Sequence, residues 1–209
     1  MTVIKRKNLS LIAYAAAALL LAAGVMFVGY VARMKNAISE EVLRLHIVAE
    51  DDSTRSQLLK LCVRDRILSE FSPRFAECES AAQSEAAARA CLGEIKAAAE
   101  DELVRQGAPD TVTVAVGREH FPTKEYGDIS LPGGEYTALD IKIGAAKGRN
   151  WWCVMYPPLC ISEGTGVLPK QSEDKLRAVL TDEEYDMITG GSGINVKFRI
   201  AEILGKYFK

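Results

Sequence analysis

The sequence lacks the short motifs that most often mark a catalytic or nucleotide-binding centre. It contains no G-x-S-x-G, H-E-x-x-H, Walker A or G-x-G-x-x-G pattern, which excludes the common signatures of serine hydrolases, zinc proteases and phosphate-binding loops. It also contains no C-x-x-C pair, and its only two histidines, His46 and His120, lie near no pair of cysteines, which argues against a zinc site. The sequence therefore predicts no metal site, no cofactor and no catalytic residue of its own.

Acidic residues are missing from the first 35 positions, although the whole chain of 209 residues has a net charge of only −2. The first 35 positions hold five basic residues, and the rest of the chain holds 21 basic and 28 acidic residues, a net charge of −7. An acidic domain has no electrostatic reason to bind nucleic acid. The charges instead separate a short basic N-terminus from an acidic remainder.

A run without any charge extends over residues 9–32. As a helix it is about 36 Å long, enough to cross a hydrocarbon core of about 30 Å. A buried core helix and a cleaved signal peptide are the alternatives, but the run is long for both, and Tyr30 stands where a signal peptidase prefers a small residue. We therefore expect a retained transmembrane signal anchor over residues 1–35. The positive-inside rule places its N-terminus in the cytoplasm and exports the domain over residues 36–209.

Five cysteines are present, and in an exported domain they can form disulfides. Cys153 and Cys160 are seven residues apart with two prolines between them, and this turn brings them into disulfide range. A second predicted bridge joins Cys78 to Cys91 across a short Ala-rich segment. Cys62 lies in a helical stretch and is expected to be a buried thiol.

The hydrophobic patterns predict an α+β domain with an antiparallel or mixed sheet of about four strands and helices on one face. A polar connector over residues 36–41 leads into the first strand. The expected strands are at residues 42–49, 111–116, 136–143 and 151–156. The last three of these follow one another with short connections, which favours an antiparallel meander.

Helices are expected between and after these strands, and their ends carry clear signals. The expected helices are at residues 54–70, 84–105 and 172–189. Ser72 and Pro73 end the first of them, and Gly190 with Gly191 ends the last. Residues 194–209 fit either a strand or an amphipathic helix.

Two small groups of residues are candidates for chemistry. Cys153 and His120 are the one pairing of a nucleophile with a base, and a disulfide at Cys153 would disable it. Residues 50–52, Glu-Asp-Asp, offer cation ligands, although such a cluster more often stabilises the positive end of a following helix.

Trp151 and Trp152 form the most prominent aromatic pair. Neighbouring residues of a strand face opposite sides, so one ring is expected in the core and the other outward. An outward Trp is a candidate binding residue, because aromatic side chains dominate interface energetics. Partial burial of both rings by neighbouring loops is an equal alternative.

Several segments together closely resemble the stage II sporulation protein R family. They are LRLHIVAEDDS at 43–53, VRD at 63–65, FPTKEYG at 121–127, PGGEY at 132–136 and GRNWWCVMYPPLC at 148–160. The last block is highly specific to that family. The chain order, with an export signal followed by two helical stretches, agrees with it as well.

The resemblance implies a sporulation signalling protein that is exported from the forespore. It implies a role as a non-catalytic activator of a membrane-bound aspartic protease, which processes the precursor of sporulation sigma factor E. The alternative is a membrane-anchored, cysteine-dependent cell-wall hydrolase. We expect the protein to stay in the membrane or to enter the intermembrane space. The predicted protease-binding residues are Phe121, Lys124, Tyr126, Asn150, Trp151, Trp152 and Tyr156.

Overall fold

The computed structural model describes residues 2–160 and 170–190. The segment 194–209 lies outside these residues. The elements in chain order are α1 (Thr2–Glu40), β1 (Leu43–Val48), α2 (Thr54–Ala76), α3 (Ala81–Ala90), α4 (Leu92–Arg105), β2 (Val112–Phe121), β3 (Lys124–Tyr126), β4 (Ile129–Leu131), β5 (Gly134–Ile143), β6 (Asn150–Tyr156), α5 (Lys170–Val179) and α6 (Asp182–Thr189). The predicted α+β class, with a mixed four-stranded sheet behind a long apolar N-terminal helix, is confirmed.

The four-stranded sheet has the order β2-β5-β1-β6. β1 is parallel to β5 and antiparallel to β6, while β2 is antiparallel to β5. The predicted meander of β2, β5 and β6 is wrong, because β1 lies between β5 and β6. Every residue of β1 is buried, and a strand buried on both faces takes a central position.

One face of the sheet packs against α2, α3 and α4. Leu45 and Ile47 of β1 and Leu139 and Ile141 of β5 point to this face and join the buried side chains of the three helices. The opposite face is covered by the end of α1, the β3–β4 hairpin and the α5–α6 pair. We call the first the helix face and the second the hairpin face.

α1 replaces the polar connector that was expected over residues 36–41. It continues without a break to Glu40, and only two residues separate it from β1. Val31, Met34 and Ile38 are buried at spacings of three and four residues, and α1 contacts β5. The last three turns of α1 therefore run back over the hairpin face, opposite in direction to β1.

The preceding part of α1 is free of the domain. Among the described residues it is the one helix long and apolar enough to cross a membrane. Residues 11–27 are exposed, a length of about 26 Å, which is close to the roughly 30 Å of a hydrocarbon core. A membrane around residues 11–27 would end just before Val31, the next residue of α1 that is buried against the domain.

Three predicted helix boundaries are wrong. α2 continues through Pro73 to Ala76, because Phe71 and Phe75 on either side of the proline are both buried in the core. The helix expected at 84–105 is two helices, which meet at the buried Cys91. The helix expected at 172–189 is also two, because Thr181 starts α6 with a capping box.

β2 extends five residues further than predicted, and the β3–β4 hairpin was not predicted. β2 continues to Phe121, where it pairs with Gly134 at the start of β5. The hairpin strands have three residues each, too few for an alternating pattern to be recognised.

The central position of β1 makes its apolar side chains the most costly to truncate. We expect Ile47→Ala, which empties a fully buried site, to lower the free energy of unfolding by about 2–5 kcal/mol. The control Leu58→Ala removes a side chain that is 58% exposed and should cost less than about 1 kcal/mol. Urea unfolding of the full chain in detergent micelles, followed by circular dichroism, measures both. Equal losses would contradict the assigned core.

Candidate functional site

The alternation of β1 places two polar side chains on the hairpin face. Arg44 lies between Ala138 of β5 and Val154 of β6, and His46 lies between Asp140 and Trp152. These polar side chains are surrounded by aromatic rings. We call the group the polar–aromatic cluster, and its members are Arg44, His46, Phe121, Tyr126, Tyr136, Asp140, Asn150 and Trp152.

Arg44 is fully buried in a cage of three rings. Its guanidinium carbon is 4.3 Å from the ring centre of Phe121, 4.8 Å from that of Tyr136 and 5.6 Å from that of Tyr126. Nε donates to the Cys153 carbonyl at 2.9 Å, and Nη2 donates to the Tyr126 hydroxyl at 2.8 Å. Arg44 thus joins the sheet to the hairpin through one side chain.

The cage stabilises the cation by ring faces and neutral oxygens. No carboxylate among the described residues is paired with Arg44. Burial lowers the pKa of Arg44, and burial also raises the pKa of Tyr126 and raises that of Tyr136 to about 12. Both hydroxyls are therefore neutral at physiological pH. The charge rests on cation–π contacts and hydrogen bonds, which desolvation strengthens.

His46 links the two strands beside β1. Its Nδ1 is 2.9 Å from an Asp140 carboxylate oxygen, and its Nε2 is 3.0 Å from the Asn150 side-chain oxygen. The Trp152 ring stacks on the imidazole with 4.1 Å between centres and 4° between planes. His46 and Trp152 therefore hold each other in fixed orientations.

Asp140 completes this polar chain toward the surface. Burial alone would raise the pKa of its carboxyl, but the contacts with His46 and Lys142 outweigh burial and hold the pKa below its ordinary value. The Asp140 carboxylate also raises the pKa of Lys142. The chain from Asn150 through His46 and Asp140 to Lys142 was not predicted. The alternation of polar residues in β1 and β5 was the available signal.

The two tryptophans point to opposite faces of the sheet, and both are half-buried. Trp151 is on the helix face, where its ring centre is 4.2 Å from the guanidinium carbon of Arg64. Trp152 is on the hairpin face with His46. The rings therefore lie on opposite faces as expected, and the alternative that both are partly buried is the one that the structure shows.

Five of the seven predicted binding residues are at least partly exposed, and two are not. Phe121 and Tyr156 are buried core residues, at 0% and 1% exposure, so their side chains do not reach the surface. Asn150 is exposed, and Lys124 is half-exposed in the hairpin. Tyr126, also in the hairpin, donates its hydroxyl to the Trp152 carbonyl at 3.3 Å. The structure thus brings Asn150 and Trp152 together around His46, and Tyr126 joins them through the Trp152 carbonyl.

A disulfide joins Cys153 to Cys160, with 5.6 Å between the Cα atoms. The bridge predicted between Cys78 and Cys91 is not formed. Both are free buried thiols, each directed toward a carbonyl of its own helical segment. Cys62 is a free thiol too, but it is only half-buried.

The predicted nucleophile and base are far apart. Cys153 lies on β6 and His120 on β2, the two edges of the sheet, which at ~4.8 Å per strand are roughly 14 Å apart. The Cys153 sulfur is in the disulfide, and His120 pairs with Glu135 at 2.9 Å.

The acidic residues 50–52 organise the start of α2. Ser53 caps the helix and accepts from the Ser56 amide, and Asp51 accepts from the Ser53 amide. A polar cleft of about 520 Å³ lies beside them, between α2 and the α4–β2 turn. Among the described residues no group of three or more His, Cys, Asp or Glu could hold a metal ion.

The cage predicts different costs for two substitutions of Arg44. Arg44→Ala should lower the free energy of unfolding by about 3–5 kcal/mol, since it leaves a cavity and unpaired buried acceptors. Arg44→Met keeps most of the volume and removes a buried charge, so its cost should stay below about 2 kcal/mol. Urea unfolding of both variants tests this. An equal cost would mean that the charge itself, rather than the packing, stabilises the cage.

The lowered pKa of Asp140 predicts a loss of stability in acid. A carboxyl with a folded-state pKa below its unfolded value near 3.9 stabilises the fold above that value, and this contribution disappears as pH falls through the folded pKa. Melting temperatures between pH 6 and pH 3 should therefore fall less steeply for Asp140→Asn than for the wild type. The exposed Asp128→Asn is the control, and its curve should follow the wild type.

Comparison with known proteins gives one consistent family. The model of the stage II sporulation protein R family matches residues 39–165, which include every strand of the sheet. The stage II sporulation protein R of Bacillus subtilis (strain 168) is 37% identical over 139 residues, 66% of this chain and 62% of that protein, so the match spans less than two thirds of the relative's length. No solved structure matches the chain. Because the family match covers more than half of the sequence, including the polar–aromatic cluster and the disulfide, the chain belongs to the stage II sporulation protein R family.

Proposed function

We propose that this protein is an exported sporulation signal that activates a membrane-bound aspartic protease, which in turn processes the precursor of sporulation sigma factor E. In this role it acts by contact and without catalysis. The protein is made in the forespore, and residues 36–209 lie outside the cytoplasm. Membership in the stage II sporulation protein R family is the observation that carries the proposal.

The position of α1 and the disulfide support export. The basic N-terminus favours a cytoplasmic start, and the exposed apolar part of α1 has the length to cross a membrane. The bridge between Cys153 and Cys160 is of a kind that persists outside the reducing cytoplasm. Because α1 enters the domain without a linker, a retained α1 holds the domain directly at the membrane surface, where a membrane-bound protease is within reach.

The contact surface that we propose is the accessible part of the polar–aromatic cluster and the hairpin beside it. We call it the Trp152 patch, and it comprises Lys124, Tyr126, Asn150 and Trp152. His46 stacks on Trp152, and Arg44 donates a hydrogen bond to Tyr126. Both aromatic side chains are therefore held in place, so little side-chain entropy is lost on binding. A large aromatic side chain in a fixed position is typical of a binding hot spot.

The hydrolase alternative receives no support from the arrangement of the side chains. It requires a free Cys153 thiolate next to His120. The sulfur is in a disulfide and the two residues occupy opposite edges of the sheet.

Deletion of the gene tests the function itself. We expect the sigma factor precursor to accumulate in sporulating cells, and expression of the wild-type protein in the forespore to restore processing. Normal processing in the deletion strain would refute the proposed role.

Substitution of the two tryptophans tests the contact surface. Trp152→Ala should reduce processing by about tenfold or more, in line with loss of an aromatic hot spot. Trp151→Ala removes an equal side chain from the other face of the sheet and is the matched control, with processing close to wild type. Immunoblots of the precursor and the mature sigma factor measure the ratio, and the amount of each folded variant is compared in the same cells. If folded Trp152→Ala supports full processing, the contact lies elsewhere.

A further inference from the structure

The two edges of the sheet differ in whether their backbone groups are covered. At the β6 edge, the Trp152 carbonyl accepts from the Tyr126 hydroxyl, and the Val154 carbonyl accepts from the Leu159 amide. The hairpin and the loop closed by the disulfide between Cys153 and Cys160 therefore occupy two outward carbonyls of this edge. Edge strands that remain open are templates for pairing with another chain, and proteins usually block them.

The β2 edge is open within the part of the chain that the structure describes. The Gly144 amide donates to the Thr111 carbonyl at 2.9 Å, which makes these two residues a hydrogen-bonded pair of the antiparallel ladder. By alternation, the backbone groups of the even-numbered residues of β2 point away from β5. At Val112 the outward amide lies 3.4 Å from the Glu100 carboxylate. The outward backbone groups of Val114, Val116, Arg118 and His120 make no hydrogen bond to any described residue.

The side chains along this edge suit a particular kind of strand. Thr113, Ala115 and Gly117 are small, and they lie on the hairpin face at positions where a paired strand comes closest, at a Cα distance of about 4.5 Å. An added Cβ at Gly117 would meet nothing within 4 Å. Bulky side chains of an added strand therefore have room there. Arg118, at the far end, donates to the Glu135 carbonyl and has no carboxylate partner among the described residues.

The direction of α1 argues against a second copy of this chain as the occupant. Two β2 edges pair antiparallel through a two-fold axis perpendicular to the sheet. α1 runs along the hairpin face in the direction opposite to β1, so that axis would make the two α1 helices antiparallel and place their N-terminal parts at opposite ends of the joined sheet. Two copies anchored in one membrane need both N-terminal parts at the same end, so they cannot pair in this way.

We propose that the outer edge of β2 binds an extended segment of another protein, which adds to the sheet as a fifth strand. The segment carries β-branched or aromatic side chains above the small residues of β2 and an acidic side chain near Arg118. Main-chain hydrogen bonds supply the affinity, and the small residues and Arg118 supply the selectivity. This surface is at the opposite edge from the Trp152 patch and does not depend on the role proposed for that patch.

A labelled peptide tests the proposal with the full chain in lipid nanodiscs. The probe is an acetylated and amidated peptide of alternating Val and Thr with a Glu at each end, followed by fluorescence anisotropy. We expect the wild type to bind it and Ala115→Lys to weaken binding about tenfold, because a charged side chain on an edge strand blocks pairing. Ala97→Lys, the same change on the exposed side of α4, is the matched control and should bind as the wild type does.

A second variant keeps the test informative if Ala115→Lys does not fold. Arg118→Glu should weaken binding of the Glu-ended peptide, and a peptide with Lys at both ends should bind this variant better than it binds the wild type. The same Glu-ended peptide with alternate backbone nitrogens methylated should not bind, since it lacks half of its donors.

Four results would overturn the proposal. They are absence of binding to the wild type, equal binding of the methylated peptide, a doubled protein mass per nanodisc without peptide, and stronger binding after removal of residues 191–209. The third would assign the edge to a second copy and the fourth to the chain's own C-terminal segment. None of these results bears on sigma factor processing, so this proposal and the proposed function fail separately.

Discussion

The structure depends on the burial of β1 on both of its faces. A central strand normally carries apolar residues throughout, yet β1 carries Arg44 and His46. Each of these side chains has to be satisfied inside the protein, since an unpaired buried polar group costs free energy comparable to a lost hydrogen bond. The polar side chains of β5 and β6 are the partners of His46, and the Cys153 carbonyl and the Tyr126 hydroxyl accept from Arg44. The buried Nη1 of Arg44 has no hydrogen-bond partner among the described residues, and three aromatic rings surround the guanidinium instead. Much of the hairpin face is organised around two side chains of one strand.

The same requirement explains why the candidate contact surface is rigid. Tyr126 is positioned by Arg44, and Trp152 by His46, so the two accessible aromatic side chains of the patch are held from beneath. The loop closed by the disulfide follows directly after β6, and its Leu159 amide donates to the Val154 carbonyl. In the proposed role, stability and recognition are coupled, because residues that contact the buried polar groups also form the surface that we assign to binding.

α1 enters this domain without a flexible joint. In the membrane-anchored form that we propose, the last three turns of α1 pack against the sheet and so transmit the orientation of the helix to the whole domain. In that anchored form, the orientation of α1 limits how copies of the protein can associate.

The sequence by itself determined the long charge-free helix, the α+β class, and the position of most strands and helices, because these follow from local composition and alternation. Its motifs also identified the family, and two prolines indicated the bridge between Cys153 and Cys160. Tertiary structure decided the strand order, since β1 lies between β5 and β6, which are distant from it in sequence, and is buried on both faces there. It also decided that Phe121 and Tyr156 are core residues, that Cys78 and Cys91 stay apart, and that Asp140 belongs with His46. No local pattern contains these facts, because each depends on which strand lies next to which.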